Sequence, residues 1–349
     1  MKLKLTLLLT FVVSLSALSQ VPTYYNDVNI NLTGTALKTE LATKIINTHT
    51  TNLSYTPGVW DAIKQTDLDP NDNTKVLLLY GSNDGDGNYI TDRTRSKDLN
   101  GGTAGTQWNR EHAFPKSLGD PNLQTSGPGA DVHHLRASDI TLNGNRGSLQ
   151  FITGSGTAGA TGGGFYPGDE WKGDVARMMM YMYLRYDDRC YPSVVTIGTA
   201  NSSDSNMIDL LLEWNAEDPV SNYELQRNTV LESLQGNRNP FIDNPAFATT
   251  IWGGTQAENR FNSVSDCSEL FISEYIEGSG SNKFIELYNP TDSSIDLSSY
   301  DLVIYSNGSA SVSATLTLSG TIVSGGTFVI ENSDENLGVT ANLQDNTVM

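Results

Sequence analysis

Near residue 265 the chain changes its apolar period from helical to strand spacing, and a second, all-β domain is expected from there. Before that point apolar residues recur at helical spacing in residues 36–49, in Val59-Trp60-Asp61-Ala62-Ile63, in Leu210-Leu211-Leu212-Glu213-Trp214-Asn215 and from Tyr223 to Leu231. The run from Val175 to Leu184 carries Met and Tyr all round a helical axis, which predicts a buried core helix. Val76-Leu77-Leu78-Leu79-Tyr80 predicts a buried strand, and Gly236 with Pro240 closes the last helical run. After it, Phe271-Ile272-Ser273-Glu274-Tyr275, Lys283-Phe284-Ile285-Glu286-Leu287-Tyr288, Leu302-Val303-Ile304-Tyr305, Ala314-Thr315-Leu316-Thr317-Leu318 and Thr327-Phe328-Val329-Ile330 alternate or are β-branched between Gly, Asn and Ser turns. The expectation is an α+β domain followed by an all-β sandwich. The sandwich holds no histidine and offers little chemistry, so a binding or spacer role is expected of it.

Residues 1–19 read as a leader. Lys2 and Lys4 precede the apolar run from Leu5 to Val13, and the small residues Ala17 and Ser19 precede Gln20. That run is shorter than the roughly 20 apolar residues a membrane span needs, so a secreted, extracellular chain without a membrane span is expected, as a monomer. Two cysteines, Cys190 and Cys267, are too few for a disulfide scaffold or a cysteine-rich zinc site. One bridge between them and two unpaired thiols remain the alternatives.

The formal net charge of -19 argues against a polyanion as partner until it is counted locally. Between Asp92 and Arg189 lie 11 of the 21 Lys/Arg and 11 of the 40 Asp/Glu, which leaves 10 cations against 29 anions elsewhere. This neutral segment contains Trp108-Asn109-Arg110-Glu111-His112-Ala113-Phe114-Pro115, then Asp131-Val132-His133-His134-Leu135, then Leu142-Asn143-Gly144-Asn145-Arg146-Gly147. Three of the four histidines lie there. A carboxylate beside an imidazole, with a side-chain amide in a Gly-bounded turn further on, supplies what one hard divalent cation and one general base need. On a regular strand Glu111 and His112 would face opposite sides, so they are expected where a strand ends or bends. A site of one carboxylate and one amide oxygen holds Mg²⁺ incompletely and leaves positions for water and phosphate oxygens. His112, with an ordinary value near 6.5, suits the role of base rather than ligand.

Two other stretches carry less. The acidic turn from Gly81 to Gly87 lacks the Glu that closes an EF-hand loop and is expected to be a solvated turn. Residues 154–164 are glycine-rich with no basic residue in phosphate-loop register, and a flexible surface loop is expected.

The three ordered motifs resemble the endonuclease I family of exported bacterial nucleases, which carry a ββα-metal (His-Me finger) core in a mixed α+β domain. The resemblance continues through Gly173-Asp174-Val175-Ala176-Arg177, Leu212-Glu213-Trp214-Asn215 and Gln235-Gly236-Asn237-Arg238-Asn239-Pro240-Phe241, over roughly residues 55–245. It implies His112 as general base and Glu111 with Asn143 as Mg²⁺ ligands. Family members typically have Asn where His134 stands. Some carry a longer insertion after the Glu-His pair whose Arg contacts the cleaved phosphate, whereas the interval from Lys116 to Ala130 holds no Arg. Arg177, at a matching helix position, is the first choice for phosphate contact and Arg146 the second. The segment from residue 267 resembles a lamin-tail domain, an immunoglobulin-like module, through Phe271 to Tyr275 and Lys283 to Pro290. The chain stops at Met349 before such a module normally closes, so a fragment and a sandwich with an exposed edge are both open.

The sequence therefore divides into a leader (1–19), a nuclease domain (20–262) and a lamin-tail-like sandwich (267–349). The expected function is a secreted, Mg²⁺-dependent, largely sequence-nonspecific endonuclease acting on DNA, with RNA as a second substrate. Nothing in the chain resembles a base-reading helix. The alternative is an exported adhesion or binding protein in which the first domain is an inactive scaffold.

Overall fold

The computed structural model describes residues 21–261, 269–291, 293–305, 311–334, 338 and 340–346. The segment expected to be a leader and Cys267 lie outside them; Cys190 is buried. Contacts separate a unit from Pro22 to Arg260 from a second that begins at Phe261.

The helices of the first unit are α1 (Gly34–Thr48), α2 (Gly58–Thr66), α3 (Ile140–Arg146), α4 (Lys172–Tyr186), α5 (Pro192–Val195), α6 (Asp209–Glu217), α7 (Asn222–Gln235), α8 (Pro240–Asp243) and α9 (Ala246–Trp252). Its strands are short: β1 (Leu68–Asp69), β2 (Asp72–Leu77) and β3 (Thr94–Ser96) form one sheet, β4 (Trp108–His112) pairs with β5 (Leu135–Asp139), and β6 (Gly159–Thr161) with β7 (Gly164–Tyr166). As expected from its composition, α4 is buried from Gly173 to Leu184. The expected strand at Val76 begins earlier and leaves regular pairing after Leu77, yet Leu79 still donates to Ala137 O (2.8 Å). The glycine-rich stretch is not loop throughout, since β6 and β7 pair across Gly162 and Gly163, whose φ values of +54° and +86° favour glycine at the turn.

The β4–β5 pair runs antiparallel in continuous register, from Trp108 opposite Asp139 to His112 opposite Leu135. Trp108, Leu135 and Ala137 pack with Val59 and Ile63 of α2, Val76, Leu78 and Leu231 of α7. Full burial of such side chains stabilises by roughly 1.5–3 kcal/mol each, which anchors the pair under two helices. At its end Asp139 turns the chain into α3: its Oδ1 accepts from Thr141 N (2.7 Å) and Leu142 N (3.0 Å), and Oδ2 takes Arg95 (2.6 Å). Gly147, at φ +53°, ends α3 and returns its N–H to Asn143 O (2.9 Å). The result is a strand–strand–helix unit without a linker between β5 and α3.

A buried charge cluster braces this unit from behind. Arg136 on β5 reaches Asp67 (3.0 Å) and Asp174 of α4 (3.0 Å), and Arg227 of α7 pairs with the other Asp67 oxygen.

The second unit is all β among its described elements, apart from one short 3-10 turn. Its strands are β8 (Phe271–Glu277), β9 (Lys283–Tyr288), β10 (Ile295–Asp296), β11 (Asp301–Ile304), β12 (Ala314–Thr317), β13 (Thr321–Ile322), β14 (Thr327–Glu331) and β15 (Leu343–Gln344). A four-stranded sheet runs β15-β14-β9-β8, with separate pairs β10–β13 and β11–β12. Ile285, Leu287, Leu297, Leu318, Ile322, Phe328 and Ile330 form its core. No helix among the described residues is long and apolar enough to cross a membrane.

Candidate active site

Strand alternation sorts the motif on β4 into two faces. Asn109 and Glu111 meet α3: Asn143 Nδ2 donates to Asn109 Oδ1 (2.6 Å), and Arg146 lies 3.4 Å from Glu111 Oε1. Asn143 and Arg146 stand three apart on α3, and Asn109 and Glu111 two apart on β4, so the contact brings Glu111 and Asn143 to one junction. Arg110 and His112 occupy the opposite face, where both rest against Tyr55. His112 is the last residue of β4, so the expected strand end is present although the alternation is kept.

Glu111 is 2% exposed. Its Oε1 accepts from Tyr80 (2.9 Å) and faces Arg146, and neither contact uses Oε2. Burial pushes its carboxyl up to about 7, against the pull of Arg146 and the Tyr80 hydroxyl. A cation beside Oε2 would reverse that effect by favouring the charged form. Asn143 is half-buried, and its Asn109 bond uses only the amide nitrogen. One carboxylate oxygen and one amide oxygen therefore remain as hard donors, a set that fits a largely hydrated Mg²⁺. Among the described residues no cluster of three or more His, Cys, Asp or Glu is arranged to hold a metal.

His112 is 8% exposed, and its Nε2 lies 3.0 Å from Gly129 O. A carbonyl only accepts, so Nε2 carries the proton and Nδ1 keeps its lone pair. Burial, then His134, then Lys116 and Arg110 hold the imidazole well below its ordinary value, which leaves it neutral at physiological pH. Tyr55 stacks on the ring at 5.7 Å between centroids and 29° between planes.

The other two histidines of the motif serve the scaffold. His133 Nε2 binds Asn237 O (3.2 Å) and His134 Nε2 binds Pro128 O (2.7 Å), and both Nδ1 atoms are buried without partners. Burial lowers them to about 3 and about 4. Asp131 caps the turn that carries them, accepting from His133 N (3.0 Å), Tyr181 (2.9 Å), Tyr186 (2.9 Å) and Gln235 (2.9 Å).

Both arginines expected to grip phosphate are committed elsewhere. Arg177 is 0% exposed; its Nε and Nη2 form a fork on Glu224 (2.6 and 2.8 Å), and Nη1 donates to Asp218 O (2.8 Å). With every arm occupied in the interior, it is a structural ion pair and is corrected as such. Arg146 does lie at the site but is turned inward: it donates to His112 O (3.1 Å), Ala113 O (2.7 Å) and Gly147 O (3.3 Å), with its guanidinium 4.6 Å from the Phe151 ring. It holds Glu111 and the end of β4 rather than facing substrate. The sequence reading missed Tyr80, Tyr55 and Asn109 as supports of the three assigned residues. Asn109 lay inside the motif; Tyr80 and Tyr55 gave no local signal.

His112, Glu111 and Asn143 thus belong to one strand–strand–helix unit inside an α+β domain, with the imidazole on one face of β4 and the carboxylate and amide on the other. The chain belongs to the Endonuclease I family, whose sequence profile matches residues 33–246, and residues 263–349 match the Lamin Tail Domain. The extracellular ribonuclease of Bacillus subtilis (strain 168) is 43% identical over 241 residues, covering 66% of this chain and 78% of that protein. The extracellular ribonuclease of Bacillus amyloliquefaciens is 43% identical over 242 residues, with the same coverage.

Proposed function

We propose that the protein is an exported endonuclease, assisted by Mg²⁺ on a His-Me finger, that hydrolyses phosphodiester bonds of RNA and DNA largely without regard to base sequence. The observation that carries this reading is the Nε2 bond of His112 to Gly129 O, because it leaves Nδ1 as a neutral base at the end of the strand that also carries Glu111. In the proposed step Nδ1 takes a proton from a water whose oxygen attacks phosphorus. The P–O bond to the leaving oxygen breaks as that oxygen gains a proton from solvent. Mg²⁺, held by Glu111 and Asn143, would neutralise charge developing on the phosphate and the leaving oxygen. Tyr80 and Arg146 hold the Glu111 carboxylate in place, and Asn109 turns the Asn143 amide so that its oxygen stays free. Activity on RNA is supported by the names of the two Bacillus relatives, and export by those names together with the leader at residues 1–19. Contacts to the backbone rather than to base edges underlie the expected indifference to sequence.

The test is digestion of a plasmid and of a long RNA by the purified protein in Mg²⁺ and in EDTA. Cutting of both that EDTA abolishes is expected. Intact nucleic acid in Mg²⁺, Mn²⁺ and Ca²⁺ alike would overturn the reading and favour the scaffold alternative.

A further inference from the structure

With Arg177 and Arg146 committed to the interior, neither expected arginine serves the substrate phosphate. In a chain of net charge -19, most of the described cations are paired with a carboxylate. Among the described lysines and arginines, Lys116 makes neither an ion pair nor a side-chain hydrogen bond. Each of the others has at least one such partner. Even the three that lack a carboxylate are engaged with other oxygens: Lys97 donates to Asn73 O, Arg189 to Pro121 O and Asn122 O, and Arg110 to Tyr55 O and Thr56.

The position of Lys116 is defined although its ammonium is not consumed. Its backbone carbonyl accepts from Leu123 N (3.0 Å), and it starts a 3-10 turn immediately after Pro115. Its Nζ lies 5.4 Å from the centroid of the Tyr55 ring, the same ring that stacks on His112 at 5.7 Å. A ring face at that range attracts a cation weakly and leaves its N–H donors for a ligand. Arg110 in turn fixes Tyr55: its guanidinium sits 3.6 Å from that ring and 4.2 Å from Trp60.

We propose that Lys116 is the phosphate-contacting residue of this site, donating from its ammonium to a non-bridging oxygen of the nucleic-acid backbone beside His112, with Tyr55 and Arg110 as its positioning residues. The proposal rests on the reading of the protein as a phosphodiester-cleaving enzyme. A lysine acts there as a point charge, so it favours the phosphate without selecting a base.

The experiment compares wild type, Lys116→Ala, Lys116→Arg and the distant control Lys44→Ala. Two measurements are made on each: kcat/KM on a labelled single-stranded oligonucleotide in Mg²⁺, and affinity for the same oligonucleotide in EDTA as KCl is varied. Loss of one charge-assisted hydrogen bond should lower kcat/KM of Lys116→Ala roughly 10- to 100-fold. It should also flatten its log-affinity against log-salt line by about 0.7. Lys116→Arg should recover most of both, and Lys44→Ala should match wild type. Wild-type kcat/KM and salt slope in Lys116→Ala would overturn the proposal. So would a loss that accompanies a lowered melting temperature and is not rescued by Arg. If the wild type cuts nothing, the enzymatic reading fails instead, and the salt slope in EDTA still judges Lys116 alone.

Discussion

Arg177→Ala separates an interior ion pair from a phosphate contact. Removing the guanidinium leaves the Glu224 carboxylate, 2% exposed, without its two donors at 2.6 and 2.8 Å. Glu224 also closes the capping box of α7, accepting from Ser221 N (3.0 Å) while Ser221 accepts from Glu224 N (3.2 Å), so the damage extends to a helix start. Breaking a buried pair from one side costs about 3–5 kcal/mol. For a unit of this size that lowers the melting temperature by roughly 2–4 °C per kcal/mol, or roughly 6–20 °C in all. The assay is thermal unfolding followed by circular dichroism, with cutting rates measured well below the lower transition. The variant should melt early and, while folded, cut within a few-fold of wild type. Replacing both partners, Arg177→Met with Glu224→Gln, should regain much of the loss because no unpaired charge stays inside. A variant that melts with wild type but cuts a hundred-fold more slowly would show that Arg177 reaches the substrate, and would refute the assignment made here.

His112→Ala should fold normally and cut on the order of 10² to 10⁴ more slowly, since water would lose its base; an unchanged rate between pH 6 and 8 would remove it from that role. Glu111→Ala and Asn143→Ala should each need more Mg²⁺ for half-maximal cutting, because the site offers only two protein oxygens; an unshifted titration for either removes that residue from the ligand set. The contribution of His133 and His134 to stability should fall on acidification below about pH 6.5. His133 and His134, lowered by burial to about 3 and about 4, stay neutral in the fold while the unfolded chain takes up protons near 6.5. Their contribution is therefore complete above about 6.5 and declines toward about 4, at about 1.4 kcal/mol per unit of displacement. Urea denaturation at pH 7.5 and 5.0 measures it, and a His134→Asn protein whose pH dependence equals wild type would contradict the assignment.

Local pattern was enough for much of the architecture. The change of period near residue 265 marks the passage from helices to strands, and the all-round apolar run from Val175 to Leu184 becomes the buried body of α4. A run records its own burial because side-chain direction repeats with the backbone, every 3.6 residues in a helix and every two in a strand. The strand end expected at Glu111 and His112 is present, since β4 stops at His112, but the pair keeps regular alternation and so faces opposite sides.

Partnership was decided by tertiary structure alone. Arg177 meets Glu224 from 47 residues away, Tyr80 meets Glu111 from 31, and Gly129 reaches His112 from 17. No periodicity encodes such contacts, and a guanidinium reads alike in sequence whether it ends against a carboxylate or in solvent. Lys116 shows the reverse case: it is the only basic residue between Lys116 and Ala130 and no pattern marks it, and the burial of the arginines leaves it as the unengaged cation among the described residues. Sequence by itself determined which groups this protein possesses and where its elements lie. The packed fold determined which of those groups neutralise one another, because charge pairing depends on distance in space and on exclusion of water, and neither is a property of the chain's order.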